Sequence, residues 1–188
     1  FFYTSMYHSG NELLDPTQVF EKAQVRPGMH VADFGCGRTG HIVFPLAQII
    51  GEQGAVYAVD ILKDVLGEVE KRIQQNGLLN VHTVWSNVEY VGKTAIPEKS
   101  LDMVLLVTLL CHSENRHGIL EEAKRLLKSK GRIVIVDWTA DSCVLAPKKE
   151  QCVDFDDVIS WGRMHGMALQ EECLVGKHHN MVVLFKQE

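Results

Sequence analysis

One stretch near the amino end limits the possible folds of this chain more than any other part of the sequence. Residues 31–34 are predicted to form a buried strand, and Gly35 and Gly37 follow in a turn that leads to a helical run starting at Gly40. Because glycine has no Cβ, such a turn can be tight and a ligand can approach its backbone, toward which the free N–H groups of the next helix point. A second strand ends at Asp60, twenty positions after Gly40, where dinucleotide folds place a carboxylate that holds ribose hydroxyls. The stretch predicts a nucleoside-binding half-site at the carboxyl edge of a parallel sheet.

The glycine spacing alone is weak support for that hypothesis, because G-x-G-x-x-G also occurs by chance. The strand before it, the helix after it and the acid that ends the next strand supply the context that the motif requires. The alternative is a tight turn in an α/β protein, with Asp60 as a helix N-cap.

Composition narrows the class of protein. The chain has 188 residues, of which 46% are hydrophobic and 23% charged, and this predicts one globular domain over 1–188. Its net charge of -5 gives no electrostatic footprint for nucleic acid, and no apolar run is long enough to span a membrane. The amino end lacks the pattern of a secretory signal, and it also lacks an initiator Met, so we expect a few residues to have been trimmed from it. The sequence carries no signal for an oligomeric state.

Cysteine and histidine usage gives no pattern for a metal site or a disulfide. The odd number of cysteines and their scattered positions favour reduced thiols in a cytoplasmic protein, and we expect no bound metal. The cysteines stand at Cys36, Cys111, Cys143, Cys152 and Cys173.

Strands alternate with helices along most of the chain, which indicates a parallel sheet with right-handed crossovers. Only residues 175–179 separate the last two strands, too few for a helical crossover, so we expect an antiparallel hairpin there with His178 and His179 in its turn. The fold class is therefore a doubly wound, mostly parallel α/β sheet of seven strands with helices on both faces. The predicted strands are 30–34, 55–59, 81–85, 101–109, 132–137, 167–174 and 180–186, and the predicted helices are 16–24, 40–50, 62–75, 116–127 and 153–165.

From Leu14 onward the chain resembles the class I S-adenosylmethionine-dependent methyltransferases, in particular the small single-domain type similar to the ubiquinone and menaquinone biosynthesis methyltransferases. The resemblance implies the Rossmann-like fold of that class and S-adenosylmethionine as the cofactor. It rests on several ordered blocks, namely R-P-G-M-H-V-A-D-F-G-C-G at 26–37, A-V-D at 58–60, S-L-D-M-V at 100–104, and E-A-K-R-L-L-K followed by G-R-I-V-I-V-D-W at 122–138.

The glycine loop departs from the family pattern, which usually reads G-x-G-x-G. Here Arg38 and Thr39 stand between Gly37 and Gly40. Because a cation beside a sulfonium is unfavourable, we expect Arg38 to point outward.

The resemblance implies a role for each matching residue. Asp33 and the loop backbone would receive the methionine end of the cofactor, and Asp60 would accept hydrogen bonds from both ribose hydroxyls. Asn87 would read the adenine amino group with its side-chain carbonyl, the alternative being a turn residue. The full set of implied cofactor-binding residues is Asp33, Gly35, Cys36, Gly37, Gly40, Asp60, Ile61, Asn87, Val88 and Thr108, with Leu62 beside Ile61 on the adenine.

A general base is needed only when the methyl acceptor keeps its proton. His112, Glu114 and Asp137 are the candidates at the expected mouth, and His112 is the best placed because an imidazole titrates near neutrality. The alternative for His112 is a loop histidine that contacts cofactor or solvent. Cys111 is expected to be a buried structural thiol rather than a nucleophile.

Three functions remain open on the sequence. The first is methyl transfer to a small-molecule or lipid-like acceptor, with residues 1–25 as an amino-terminal helix and lid. Phe1, Phe2, Tyr3, Met6 and Tyr7 would belong to this lid, the alternative being simple packing of an ordered tail. The second is an NAD(P)-dependent oxidoreductase, favoured only by the glycine spacing, since Tyr90 and Lys93 are one residue short of a Tyr-x-x-x-Lys relay. The third is a cofactor-binding subunit without activity of its own.

Overall fold

The structure is a computed structural model that describes residues 13–139 and 146–187. Its seven strands are β1 (His30–Phe34), β2 (Ala55–Asp60), β3 (Val81–Trp85), β4 (Leu101–Val107), β5 (Leu127–Trp138), β6 (Met167–Val175) and β7 (His179–Lys186). Its helices are α1 (Pro16–Ala23), α2 (Val43–Ile50), α3 (Lys63–Gln75), α4 (Arg116–Leu126) and α5 (Phe155–Met164).

All seven strands form one sheet in the order β3-β2-β1-β4-β5-β7-β6. Strands β1 to β5 pair in parallel, whereas β7 runs antiparallel to both β5 and β6. The strand order reverses between β1 and β4, and open α/β sheets bind ligands in the crevice at that point. The predicted doubly wound sheet with its closing antiparallel hairpin is confirmed.

Helices cover both faces of the sheet, and this explains why every residue of β4 except Asp102 is apolar. Met103 and Leu105 of β4 pack into a core with α1, α2 and α3. Val104 and Leu106 pack into a second core with α4 and α5. Because successive side chains of a strand point to opposite faces, a strand covered on both sides has no polar face to show.

Helix α2 begins three residues later than the predicted start at Gly40. Gly40 has a left-handed φ of +55°, and its N–H donates to the carbonyl of Gly37 at 3.2 Å. A Cβ at Gly40 would lie 2.5 Å from the Phe44 ring. Gly40 therefore closes the loop and does not open the helix.

Two strand boundaries also differ from prediction. Strand β4 ends at Val107 and not at residue 109, because the backbone turns at Thr108. Strand β5 begins at Leu127 and not at residue 132, with an irregular register against β4 between Leu101 and Met103.

The hairpin turn is shorter than the predicted 175–179. His179 already belongs to β7, where it is fully buried and pairs with Trp138 at the end of β5. The proposed lid residues at positions 1–7 lie outside the described part of the chain. Within the described ranges, none of the helices has the length and apolar character needed to cross a membrane.

Candidate functional site

A cavity of about 560 Å³ opens at the carboxyl edge of the sheet, beside the point where the strand order reverses. Its volume lies within the range of small-molecule sites, roughly 300–1,000 Å³. It is lined by residues that follow four neighbouring parallel strands: Gly35, Gly37, Arg38 and Thr39 after β1; Asp60, Ile61 and Leu62 at the end of β2; Ser86, Asn87, Val88 and Glu89 after β3; and Thr108, Leu109, His112 and Ser113 after β4.

Asp60 holds two turns together at the wall of this cavity. One carboxylate oxygen accepts from the N–H of Gly37 at 3.2 Å, and the other accepts from the N–H of Leu62 at 3.0 Å. Leu62, not Asp60, is the N-cap of α3, so the alternative role for Asp60 as a helix cap is wrong. The carboxylate is left beside the cavity, with each oxygen already oriented by one backbone donor.

Three N–H groups of the glycine loop donate to residues at the end of β2. Gly35 and Cys36 both donate to the carbonyl of Val59, at 2.8 and 3.1 Å, and Gly37 donates to Asp60. These three amides therefore fix the loop against the end of β2. Gly35 and Gly37 still line the cavity, but Cys36 does not.

Cys36 and Gly40 are two of the implied cofactor-binding residues that do not line the cavity. The Cys36 side chain is buried, and burial together with the charges of Asp33 and Asp60 raises the pKa of its thiol. Gly40 does not line the cavity and lies against the ring of Phe44.

Two arginines lie beside the glycine loop, and one of them, Arg38, also lines the cavity. The guanidinium of Arg72, on α3, donates to the carbonyl of Thr39 and lies 4.2 Å from the centre of the Phe44 ring. Arg38 lies at the cavity edge with its side chain 42% exposed, and one of its nitrogens is 3.9 Å from the exposed carboxylate of Asp64. Arg72 thus holds the loop backbone at Thr39, the position where the family pattern has its third glycine.

Asp33 lies near the end of β1, directly before the glycine loop, and is only 2% exposed. Burial, and then the charge of Asp60, raise the pKa of Asp33 from 3.8 to about 8. A cation bound near such a carboxyl group would stabilise its ionised form and lower its pKa. Its side chain is not among those that line the cavity.

The segment after β3 supplies the wall opposite the glycine loop. The side-chain carbonyl of Asn87 accepts from the N–H of Glu89 at 3.0 Å, so Asn87 does act as a turn residue. Asn87 and Val88 both line the cavity, and Trp85 donates through its indole N–H to the carbonyl of Ile61 at 2.8 Å.

Thr108 has the strained backbone often found at functional sites. Its φ is +49°, which is unfavourable for a β-branched residue, and its N–H donates to the carbonyl of Val136 at 2.7 Å. The strain redirects the chain from β4 into a short 3-10 turn, Leu110–His112. As a result Thr108 and His112 both face the cavity.

The other candidate bases are placed elsewhere. Asp137 is fully buried, and its carboxylate accepts from the N–H groups of Cys111 at 3.1 Å and Trp138 at 2.9 Å. Glu114 does not line the cavity either, so His112 alone of the three candidate bases does. Cys111 is buried, and burial and the neighbouring Asp137 raise the pKa of its thiol, as expected of a structural cysteine.

Several cavity residues were not predicted from the sequence. Glu89, Ser113 and Ile119 line it, and none belongs to a recognisable motif. Position gives a signal for the first two, since they follow strands β3 and β4 by a few residues, as cavity residues of this fold do. Among the described residues, no cluster of three or more His, Cys, Asp or Glu side chains forms a metal site.

A family model described as a methyltransferase domain matches residues 26–178 of this chain. The chain belongs to this methyltransferase family. It is 30% identical over 115 residues to the ubiquinone/menaquinone biosynthesis C-methyltransferase UbiE of Vibrio campbellii, a match that covers 61% of this chain and 43% of that relative. It is 32% identical over 106 residues to the aklanonic acid methyltransferase DauC of Streptomyces sp., covering 56% of this chain and 46% of that relative. In both cases the match spans less than half the length of the relative.

A solved structure agrees with this assignment over nearly the whole chain. The crystal structure of a SAM-dependent methyltransferase from Aquifex aeolicus has a TM-score of 0.82 and 25% identity, and the match covers 94% of this chain and 92% of that one. The resemblance to class I S-adenosylmethionine-dependent methyltransferases is therefore confirmed, and S-adenosylmethionine is the cofactor of the family.

Proposed function

We propose that this methyltransferase transfers a methyl group from S-adenosylmethionine to a small-molecule or lipid-like acceptor. The observation that carries the proposal is the cavity of about 560 Å³, with the oriented carboxylate of Asp60 in its wall. The names of the relatives support the acceptor class, since one acts in quinone biosynthesis and one on aklanonic acid.

The cavity residues suit the cofactor chemically. Asp60 would accept hydrogen bonds from the two ribose hydroxyls, and Ile61 and Leu62, which are 51% and 47% exposed, would pack on the adenine. Asn87 and Val88 would complete the adenine wall. Asp33 would stabilise the ammonium group from beneath, through charge rather than direct contact.

S-adenosylmethionine supplies a methyl group on a positively charged sulfur, so that the acceptor's electron pair forms the new bond while the pair of the S–C bond stays on sulfur. The protein has to align the acceptor and exclude water, and alignment alone can contribute up to roughly 7–11 kcal/mol. Thr108 would shape the wall beside the reacting atoms. His112 would accept the proton when the acceptor carries one.

No observation favours the oxidoreductase hypothesis. Its only support was the glycine spacing, and Gly40 now has a structural explanation as the residue that closes the loop.

We expect the substitution Asp60→Asn to weaken binding of S-adenosylmethionine by roughly 100-fold. Removing the charge weakens two charge-assisted hydrogen bonds, each worth about 1.5–3 kcal/mol, and about 1.4 kcal/mol corresponds to a factor of ten. The measurement is isothermal titration of wild type, Asp60→Asn and the control Asp156→Asn, which alters an exposed carboxylate in the first turn of α5. Equal affinity for wild type and Asp60→Asn would contradict the proposed site.

Turnover is tested separately from binding. The isolated chain should produce S-adenosylhomocysteine when incubated with S-adenosylmethionine and a panel of quinols, phenols, carboxylic acids and amines. Tight cofactor binding without product from any acceptor would favour the third hypothesis, a binding subunit without activity.

A further inference from the structure

Glu89, in the segment after β3, makes two hydrogen bonds to the segment after β4. Its carboxylate accepts from the N–H of Glu114 at 3.1 Å, and its backbone carbonyl accepts from the side-chain amide of Asn115 at 3.0 Å. Glu89 is half-buried and lies in the wall of the cavity. It thus holds two adjacent residues of the opposite segment, one by side chain and one by backbone.

The start of α4 is built to accept this junction. Asn115 is the N-cap of α4, where its side-chain oxygen accepts from the N–H of Gly118 at 3.0 Å while its amide group donates to Glu89. A Cβ at Gly118 would lie 2.4 Å from the carbonyl oxygen of Glu89. Only glycine lets the helix approach so closely, so the junction is a specific close contact and not a surface ion pair.

Both sides of the junction line the same cavity. On one side, Asn87 fixes the backbone of Glu89 through the turn described above, and Asn87 and Val88 face the cavity. On the other side, His112 and Ser113 face the cavity directly before Glu114. A ligand that rests on the first segment would therefore lie on one side of this junction, and His112 lies on the other.

We propose that Glu89 is a positioning residue that couples occupancy of the cofactor cavity to the placement of residues 109–115. The proposal rests on the proposed function, since it takes S-adenosylmethionine as the ligand of the cavity. When the segment after β3 is ordered, the carboxylate and the backbone carbonyl of Glu89 are held in place. These two groups accept from the N–H of Glu114 and from the side-chain amide of Asn115. Cofactor binding would thus fix the position of residues 109–115, which lie on the side where the methyl acceptor would bind.

Amide hydrogen exchange tests the coupling without any acceptor. In wild type, saturating S-adenosylmethionine should slow exchange of peptides covering 86–90 and also of peptides covering 109–119, each by roughly tenfold or more. In Glu89→Ala, measured at an S-adenosylmethionine concentration that saturates the variant, the first protection should remain and the second should fall at least about fivefold. Glu89→Gln, which keeps an oxygen acceptor, should restore most of the second protection.

Two further variants make the result specific. Glu89→Asp keeps the charge but withdraws the carboxylate from the Glu114 N–H, so it should behave like Glu89→Ala, and it replaces that variant if alanine does not fold. Glu114→Ala removes a neighbouring carboxylate but keeps the N–H, and it should retain the coupling. Unchanged protection of 109–119 in Glu89→Ala and Glu89→Asp, or no cofactor-dependent protection of 109–119 in wild type, would overturn the coupling. Failure of wild type to bind S-adenosylmethionine would instead overturn the proposed function.

Discussion

The substitution Asp33→Asn is expected to stabilise the cofactor-free protein more and more as the pH rises, and to weaken cofactor binding at the same time. Asp33 is 2% exposed, and burial followed by the charge of Asp60 raises its pKa from 3.8 to about 8. The folded state therefore holds a proton that the unfolded chain releases at neutral pH.

The sign of the pH dependence follows from this difference. Because the folded pKa is above the unfolded one, the folded state is favoured most below pH 3.8, and this advantage falls as the pH rises until about 8. Each pH unit in that interval costs about 1.4 kcal/mol, so wild type should lose about 2–3 kcal/mol between pH 6 and pH 8 through this group. Asparagine does not titrate, so the variant lacks this loss.

Urea unfolding of both proteins at pH 6, 7, 8 and 9 measures the effect. At each pH, the free energy of unfolding of wild type is subtracted from that of the variant, and this difference is followed as the pH changes. A packing cost of the amide that does not depend on pH shifts every difference equally and does not affect the trend. The control Asp64→Asn alters a carboxylate whose side chain is 84% exposed and should show no such trend. A pH-independent difference for Asp33→Asn would show that Asp33 is ionised in the free protein.

The substitution Glu122→Ala is expected to destabilise the protein by about 3–5 kcal/mol, because it removes one partner of a buried ion pair. Glu122 is fully buried, and its carboxylate accepts from both the Nε and Nη2 atoms of Arg125 at 2.8 Å. It also accepts from the N–H of Gly92 at 2.7 Å and of Thr94 at 3.0 Å. Its loss leaves the guanidinium and two amides of the β3–β4 connection without this acceptor.

Acid should reproduce part of this loss in wild type. Burial would raise the pKa of Glu122, but the hydrogen bonds from Arg125, Gly92 and Thr94 outweigh it and lower the pKa from 4.5 to about 2. The stabilisation is therefore complete above pH 4.5 and is lost as the pH falls toward 2, about 3 kcal/mol in all.

Urea unfolding at pH 7 and pH 3 checks both statements. The matched control is Glu121→Ala, one residue away on α4, since Glu121 is 37% exposed and pairs with His165 at 3.0 Å. An exposed pair of this kind is worth up to about 1 kcal/mol. A loss in Glu122→Ala no larger than that of the control would contradict the assigned role.

Patterns that are local in sequence could be predicted correctly. The apolar run of β4 showed a strand covered on both faces, and the acid at the end of β2 placed Asp60 at the cavity. The short connection between β6 and β7 required an antiparallel hairpin, which the structure contains.

Contacts between distant residues could not be predicted in this way. Glu122 and its backbone donors are about thirty positions apart, and Glu89 and Glu114 are 25 apart, so no spacing rule links them. For Asp137 the sequence pattern is misleading, because its position at the end of a strand predicts a base at the cavity. The carboxylate is instead buried and accepts from two backbone N–H groups. One of these, from Cys111, is brought into place by the turn that begins at Thr108.

The position of β7 has a consequence for how the chain reaches its native state. Although β7 follows the other described strands in sequence, it lies inside the sheet, between β5 and β6. During synthesis on the ribosome, β5 must wait with one hydrogen-bonding edge open until residues 179–186 have been made. Such an open edge is a template for pairing with other chains, so nascent chains halted before β7 should be the ones that aggregate or recruit chaperones.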